Sequence, residues 1–172
     1  MNGPSPENLS VQHLCKEYPT PAEPLVVLRD IGLELAQGES LAVLGPSGSG
    51  KSTLLHLIGT LDAPTSGSIQ LGGVDPFSLD QQALADYRNQ KVGFVFQEHY
   101  LLPQCTLLEN VLLPTLALGK PQEGDIGRAQ DLLDRVGLAD RQRHYPGECS
   151  GGERQRAAMA RAMMMQPALL LA

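Results

Sequence analysis

The chain has 172 residues, a formal net charge of −6 at pH 7 and 42% hydrophobic residues. This length is sufficient for a domain with a hydrophobic core, and the acidic charge disfavours nucleic-acid binding through net charge. No apolar run reaches the roughly 18 residues that a membrane-spanning helix needs. Met1–Pro6 lacks the basic and apolar regions of a signal peptide. We therefore expect a cytoplasmic protein without a nucleic-acid partner, which meets a membrane only through another protein.

The first part of the chain is rich in strand-forming residues. Two such segments flank the proline-rich stretch Tyr18–Pro24, which predicts a loop. A short apolar run further on predicts a buried strand, and an apolar segment after it predicts a helix that ends at Gly59. These predicted elements are, in order, Leu9–Leu14, Leu25–Leu35, Ser40–Leu44 and Leu54–Ile58.

The segment between the third strand and the helix matches the phosphate-binding pattern G-x-x-x-x-G-K-[ST] at every specified position. Its residues are Gly45, Pro46, Ser47, Gly48, Ser49, Gly50, Lys51, Ser52 and Thr53. Glycines let successive backbone N–H groups surround an anion, while Lys51 would reach the β- and γ-phosphates. The Ser52 hydroxyl would help to hold Mg²⁺. Because the motif stands between a strand and a helix, it predicts a nucleoside-triphosphate site rather than an ordinary Gly/Ser-rich turn.

The rest of the chain turns from strands to helices. After a turn at Pro64–Gly67 we expect strand Ser68–Leu71, helix Leu79–Asn89 and strand Lys91–Phe96. Thr106 and Glu109 fit a capping box at the start of a helix that Pro114 ends or kinks. Two further helices follow, one over Ile126–Val136 before Gly137 and one over Gly152–Gln166 before Pro167.

A second motif, Cys149-Ser150-Gly151-Gly152-Glu153, precedes the last predicted helix. Taken alone, a serine cap with free N–H groups at a helix start is a modest signal for an anion site. Together with the glycine loop it resembles the ATP-binding subunits of ABC transporters, whose signature is usually Leu-Ser-Gly-Gly-[Gln/Glu]. Cys149 in place of leucine departs from that pattern and predicts looser packing.

The resemblance covers essentially the whole chain, and it is greatest to the lipoprotein-releasing (LolD-like) and macrolide-export (MacB-like) branch. The segments that carry the branch assignment are Arg88–Lys91, Tyr100–Pro103, Leu108–Val111 and Ser150–Arg156. Lipoprotein release, macrolide export and a role in cell division remain open as the transport process.

The resemblance implies an α/β fold of the P-loop NTPase class, the ABC-type nucleotide-binding domain. Such a domain has a RecA-like core, an N-terminal antiparallel β subdomain and an α-helical subdomain. We expect residues 1–97 to form the β-rich and P-loop core, and residues 98–166 to form the helical subdomain with the signature motif. Residues 167–172 would begin the family's Walker B strand.

The resemblance also implies roles for individual residues. Tyr18 looks like the aromatic residue that stacks on adenine, and Gln97 like the glutamine that contacts Mg²⁺ and the attacking water. Ser150, Gly151, Gly152 and Glu153 of one copy would complete the ATP site of another, so the implied assembly is a head-to-tail homodimer. Residues Glu98–Pro103 would face an integral membrane permease. The implied activity is ATP hydrolysis coupled to export or release of a substrate.

The run Ala168–Ala172 looks like the start of the Walker B strand, and no aspartate follows it within these 172 residues. The catalytic glutamate and the switch histidine of the family are also not matched. We therefore expect an incomplete copy of a longer chain, which by itself is of marginal stability and does not hydrolyse ATP. The alternatives are a truncated, non-hydrolytic nucleotide-binding or regulatory module and a soluble ABC protein of repair or translation. The acidic charge and the uninterrupted single domain disfavour the last.

Overall fold

A computed structural model describes residues 7–172, which form two structural units that adjoin in sequence at Ala85 and Asp86. The expectation drawn from Met1–Pro6 concerns residues outside this range. The strands are β1 Leu9–Tyr18, β2 Leu25–Leu35, β3 Ser66–Leu71, β4 Val92–Phe94 and β5 Leu169–Leu171. The helices are α1 Lys51–Ile58, α2 Gln81–Lys91, α3 Leu107–Leu112, α4 Glu123–Arg135 and α5 Gly151–Ala162. Within residues 7–172, no helix is long and apolar enough to cross a membrane.

The first unit contains a three-stranded antiparallel sheet in the order β2-β1-β3. Leu9 of β1 pairs with Leu35 of β2 on one side and with Leu71 of β3 on the other. The sheet confirms the predicted antiparallel β subdomain. The buried apolar residues of this unit come from the three strands and from α1, and are Leu9, Val11, Leu14, Leu28, Leu54, Leu57, Ile58, Ile69 and Leu71.

One predicted strand of the first unit does not form. Residues 40–44 have no regular secondary structure, and Leu41 and Leu44 are 55% and 89% exposed. Strand propensity reflects packing against neighbours, and a strand also needs a partner for its backbone N–H and C=O groups. Among the described residues no strand pairs with this segment. Its apolar sequence alone therefore does not produce the strand.

Two boundaries in the first unit also differ from the predictions. Tyr18 was expected at the start of a loop but is the last residue of β1, where it pairs with Leu25. Strand β3 begins at Ser66 rather than Ser68, so Gly67 lies inside a strand. In both cases pairing with the neighbouring strand extends the ladder beyond the residues predicted to form strands.

Gly67 lies beside an irregularity in β1. The β1–β3 register shifts between Gln12 and Cys15, and His13 in that interval has a φ of 50°. Gly67 has a φ of 89°, and a Cβ atom placed on it would collide with the backbone carbonyl of His13. Only glycine combines this left-handed conformation with such a close backbone approach.

The second unit pairs β4 and β5 in parallel and places α3, α4 and α5 around a separate core. Val92 pairs with Leu169 and Phe94 with Leu171, so the predicted final strand is present in the structure. The core consists mainly of small and branched apolar residues, which are Leu107, Val111, Ala129, Leu132, Leu133, Leu138, Cys149, Ala157, Ala160 and Met164.

The helix caps of the second unit follow their local chemistry, but one helix end and one strand differ from the predictions. The Thr106 and Glu109 capping box is present, and α3 gives way to a 3₁₀ helix one residue before Pro114. The last helix ends at Ala162 instead of Gln166, because Met163–Met165 form a turn. Strand β4 is limited to Val92–Phe94 because it pairs with a partner of equal length.

Replacing Gly67 with alanine tests the close approach to His13. We expect Gly67→Ala to lower the free energy of unfolding by at least about 1 kcal/mol, because a left-handed φ is unfavourable for residues with a Cβ atom. Urea denaturation followed by circular dichroism measures the change. Gly124→Ala in α4 is the control, since a Cβ there meets nothing within 4 Å and should be neutral or stabilising. Equal stability of Gly67→Ala and the unmodified chain would contradict this account.

Candidate functional site

The glycine-rich loop lies in the first unit, directly before α1. Residues 45–49 are exposed, and both Gly48 and Gly50 are left-handed, with φ values of 79° and 86°. Gly50 is the N-cap of α1, and a Cβ on it would lie 2.8 Å from the Leu28 side chain and 3.1 Å from the Val27 carbonyl oxygen. The loop therefore turns sharply against β2 at a position that strongly favours glycine.

Lys51 folds back over the loop. Its ammonium group donates hydrogen bonds to the carbonyl oxygens of Gly45 at 2.9 Å and Pro46 at 2.7 Å. Ser49 N–H donates to the Pro46 carbonyl at 3.3 Å, which tightens the same turn. These bonds hold a positive charge at the mouth of the loop.

The start of α1 offers donors to an anion. The Leu54 N–H donates to the Gly50 carbonyl at 2.8 Å, which is the first hydrogen bond within the helix. The N–H groups of Lys51, Ser52 and Thr53 precede that bond and have no carbonyl four residues back within the helix. With the helix dipole and the Lys51 ammonium they form a cradle suited to phosphate. The exposed Ser52 hydroxyl is an oxygen ligand of the kind that Mg²⁺ prefers.

Tyr18 belongs to a second polar cluster in the same unit. Its hydroxyl donates to Asp62 Oδ2 at 2.8 Å, and Lys16 Nζ lies 4.7 Å from the centre of its ring. The hydrogen bond to Asp62 is the main reason that the pKa of Tyr18 is raised. Tyr18 lies in the same structural unit as the predicted phosphate site.

Sequence reasoning missed Lys16 and Asp62. Lys16 is buried, and its ammonium donates to Asp62 Oδ1 at 2.8 Å and to the Ala63 carbonyl at 2.7 Å. The hydrogen bond from Lys16 is the largest cause of the lowered pKa of Asp62. The available signal was the spacing of Lys16 and Tyr18, since residues two apart share one face of a strand. Asp62, 44 residues from Tyr18, gave no comparable signal.

Gln97 lies in the second unit, exposed in the turn after β4. Beyond it, His99 and Tyr100 have φ values of 61° and 45°. The Tyr100 ring makes an edge contact with Phe96 at 5.2 Å between ring centres, yet Tyr100 is 62% exposed. The segment after Gln97 is therefore an ordered loop in an unusual backbone conformation, with an aromatic side chain at its surface.

Arg161 of α5 holds this loop. Its guanidinium donates to the Tyr100 carbonyl at 2.6 Å and to the His99 carbonyl at 2.7 Å. Burial lowers the pKa of Arg161, but a guanidinium keeps its charge in proteins. The sequence did not reveal this role, because the helical pattern of α5 does not specify which loop its arginines meet.

The second motif forms the start of α5. Ser150 is the N-cap: its hydroxyl accepts from the Glu153 N–H at 3.3 Å, while Glu153 accepts from the Ser150 N–H at 2.7 Å. The hydrogen bond from Ser150 N–H is the main cause of the lowered pKa of Glu153, which also lies 3.3 Å from Arg141. Ser150, Gly151 and Gly152 are exposed. The helix start is therefore open to solvent, with Glu153 engaged in its cap.

Cys149, the departure from the usual leucine, is buried in the core of the second unit. Its thiol lies 3.4 Å from the Tyr145 carbonyl, and burial raises its pKa. The small side chain is accommodated without altering the cap that begins at Ser150.

Comparison with known proteins identifies the class. Residues 28–172 match the family model described as ABC transporter, so the chain belongs to the ABC transporter ATP-binding family. Its fold is that of the ABC ATPase cassette. The dimeric structure of MJ0796, a bacterial ABC transporter cassette, aligns with a TM-score of 0.86 and 37% identity over 95% of this chain and 72% of that one. A post-hydrolysis state of MJ0796 bound to ADP and Pi aligns with a TM-score of 0.85.

The chain is also similar to ATP-binding proteins of lipoprotein-releasing systems. It is 58% identical over 164 residues to LolD 1 of Rhodopirellula baltica, covering 95% of this chain and 72% of the relative. It is 52% identical to LolD of Geobacter metallireducens, covering 95% of this chain and 73% of the relative. The predicted family and its LolD-like character are confirmed.

The Arg161 contacts predict a positioning effect on residues 98–103. We expect Arg161→Met to increase amide hydrogen exchange in this segment and to lower the free energy of unfolding by about 1–3 kcal/mol, because two carbonyls lose a charged donor. Mass spectrometry of the exchanging protein measures the effect. Arg143→Met, at an exposed arginine of the same unit, is the control. Unchanged exchange at 98–103 in Arg161→Met would refute the positioning effect.

The lowered pKa of Glu153 predicts a pH dependence. A carboxyl whose pKa is lowered by folding stabilises the fold above its ordinary pKa of 4.5, and this contribution is lost as the pH falls through the lowered value. Glu153→Gln should therefore be less stable than the unmodified chain at pH 7, with a difference that shrinks below pH 4.5. Urea denaturation at several pH values tests this. Glu23→Gln, in the exposed β1–β2 loop, is the control for the loss of a carboxylate that closes no helix cap.

Proposed function

We propose that this chain is the nucleotide-binding part of a lipoprotein-releasing ABC transporter, in which ATP binding and hydrolysis drive a membrane permease. The observation that supports this most is the glycine loop at the N-terminus of α1, with Gly48 and Gly50 left-handed and Lys51 over the loop carbonyls. Identities of 52–58% to relatives named as lipoprotein-releasing ATP-binding proteins support the transport process.

In this proposal the triphosphate occupies the cradle of residues 45–53. Backbone N–H groups at the start of α1 donate to phosphate oxygens, and Lys51 exchanges a loop carbonyl for the β- or γ-phosphate. Ser52 is the hydroxyl ligand for Mg²⁺, which when bound would neutralise charge on the phosphates. Tyr18 stacks on the adenine ring. For Gln97 we propose the family's role of contacting Mg²⁺ and the attacking water.

The proposed assembly is a head-to-tail homodimer. Ser150, Gly151 and Gly152 are exposed at the start of α5, with N–H groups and a helix dipole directed at solvent. A helix start of this kind can complete the phosphate site of a second copy, and Glu153 secures it through the cap. The solved structures of the similar cassette MJ0796 are dimeric, which supports a two-fold arrangement.

The proposed permease contact is the segment Glu98–Pro103. Tyr100 and Leu102 are 62% and 38% exposed there, although both are apolar enough to favour burial. Arg161 fixes the backbone of this segment, so movement of α5 would be transmitted to it. In this proposal the segment Glu98–Pro103 of the cytoplasmic subunit couples ATP binding and hydrolysis to the permease.

ATP binding by the 172-residue chain tests the proposed nucleotide site. We expect Mg-ATP to bind, and Lys51→Ala to weaken binding at least about tenfold, because a charge-assisted hydrogen bond contributes about 1.5–3 kcal/mol. Equilibrium dialysis with labelled ATP measures both. Lys120→Ala removes the same charge from an exposed lysine of the second unit and should bind as the unmodified chain does. Equal affinity of Lys51→Ala and Lys120→Ala would contradict the proposed site.

A further inference from the structure

Lys16, Tyr18 and Asp62 form a cluster that is joined by hydrogen bonds to the Asp62 carboxylate. Asp62 accepts three hydrogen bonds, at 2.8 Å each, from Lys16 Nζ, Tyr18 Oη and its neighbouring Ala63 N–H. One carboxylate thus joins the end of β1 to the turn after α1. All three side chains lie in the first unit, in which the glycine loop also lies.

The cluster constrains the Tyr18 ring in two independent ways. The hydroxyl lies on the long axis of the ring, so its bond to Asp62 fixes the direction of that axis. The Lys16 ammonium, 4.7 Å from the ring centre, occupies one face of the ring. Since Tyr18 remains 36% exposed, the opposite face is the one available to a planar ligand.

Asp62 is itself fixed relative to the phosphate cradle. The turn after α1 is closed by hydrogen bonds from the Leu61 and Asp62 N–H groups to the His56 carbonyl, at 2.8 and 3.4 Å. The N-terminus of the same helix carries the glycine loop.

We propose that Asp62, held by Lys16, is a positioning residue that orients Tyr18 for stacking against the purine base of the bound nucleotide. This inference rests on the proposed nucleotide site. An aromatic side chain that is already fixed loses less conformational freedom when a ligand stacks on it, and so binds more tightly. The contribution is specific to ligands that carry a base, because the phosphate cradle does not depend on the ring.

A comparison of ATP with inorganic tripolyphosphate separates the base from the phosphates. Both are measured with Mg²⁺ on the 172-residue chain, by competition against labelled ATP or directly by calorimetry. Tyr18→Phe keeps the ring and leaves the Lys16–Asp62 pair intact. We expect it to weaken ATP binding about 3- to 30-fold, which corresponds to part of the free energy that stacking of a base on an aromatic ring contributes. Tripolyphosphate binding should not change. Tyr145→Phe, at an exposed tyrosine of the second unit, is the matched control.

The double variant Lys16→Met/Asp62→Leu provides the second test. It replaces a partly buried ion pair, in which the Lys16 side chain is 10% and the Asp62 side chain 34% exposed, with apolar side chains. Such an exchange is often tolerated without loss of stability. We expect it to weaken ATP binding at least as much as Tyr18→Phe does, because it removes the Lys16 ammonium from the ring face as well as the hydrogen bond to Asp62, again without effect on tripolyphosphate. Adding Tyr18→Phe to it should weaken ATP binding no further, because both changes remove the same hydrogen bond.

The outcomes distinguish this inference from the proposed function. If the unmodified chain binds neither ligand, the nucleotide site and the positioning role are both overturned. If it prefers ATP to tripolyphosphate and Tyr18→Phe keeps that preference, only the positioning role is overturned. An equal loss of ATP and tripolyphosphate binding in both variants would show that the cluster has a merely structural role, which also overturns it.

Discussion

The eight-residue helix α1 is the element on which the candidate nucleotide site depends. Its N-terminus is capped by Gly50, whose left-handed backbone packs closely against β2, so that any other residue would be strained there. Its C-terminus leads through a turn to Asp62, which anchors Tyr18. A single short helix thus sets the spacing between the phosphate cradle and the aromatic ring. Backbone hydrogen bonds fix both ends of α1. The phosphate cradle and the Tyr18 ring therefore cannot move independently without breaking the helix or the turn after it.

The second unit depends on a different kind of interaction, namely charged side chains that satisfy backbone groups. Glu109 and Glu153 close capping boxes at the starts of α3 and α5, and each has a lowered pKa as a result. Arg161 satisfies two carbonyls of the loop after Gln97, and the buried Asn110 side chain bonds to the backbone of Leu102, Cys105 and Thr106. Segments that form no sheet or helix are therefore ordered by side chains from neighbouring helices.

Part of the site could be predicted from sequence because its chemistry is local. The glycine loop, the Thr106 and Ser150 caps and the breaks near Pro114 and Gly137 are each specified within a few residues, and the structure shows each of them. The strand predicted over residues 40–44 does not form, because strand formation depends on a distant segment rather than on local chemistry. A strand is completed by hydrogen bonds to another segment, and no strand among the described residues pairs with residues 40–44.

The sequence by itself determined the family, the phosphate loop and the helix caps, because glycine conformation and capping act over at most one turn of chain. Only the tertiary structure decided which distant groups meet. It brought Asp62 to Tyr18 across 44 residues and Arg161 to Tyr100 across 61, and it paired β4 with β5. The physical reason is that these contacts depend on how sheets and helices pack. Packing is set by the shape and burial of all the apolar residues together, rather than by any short motif.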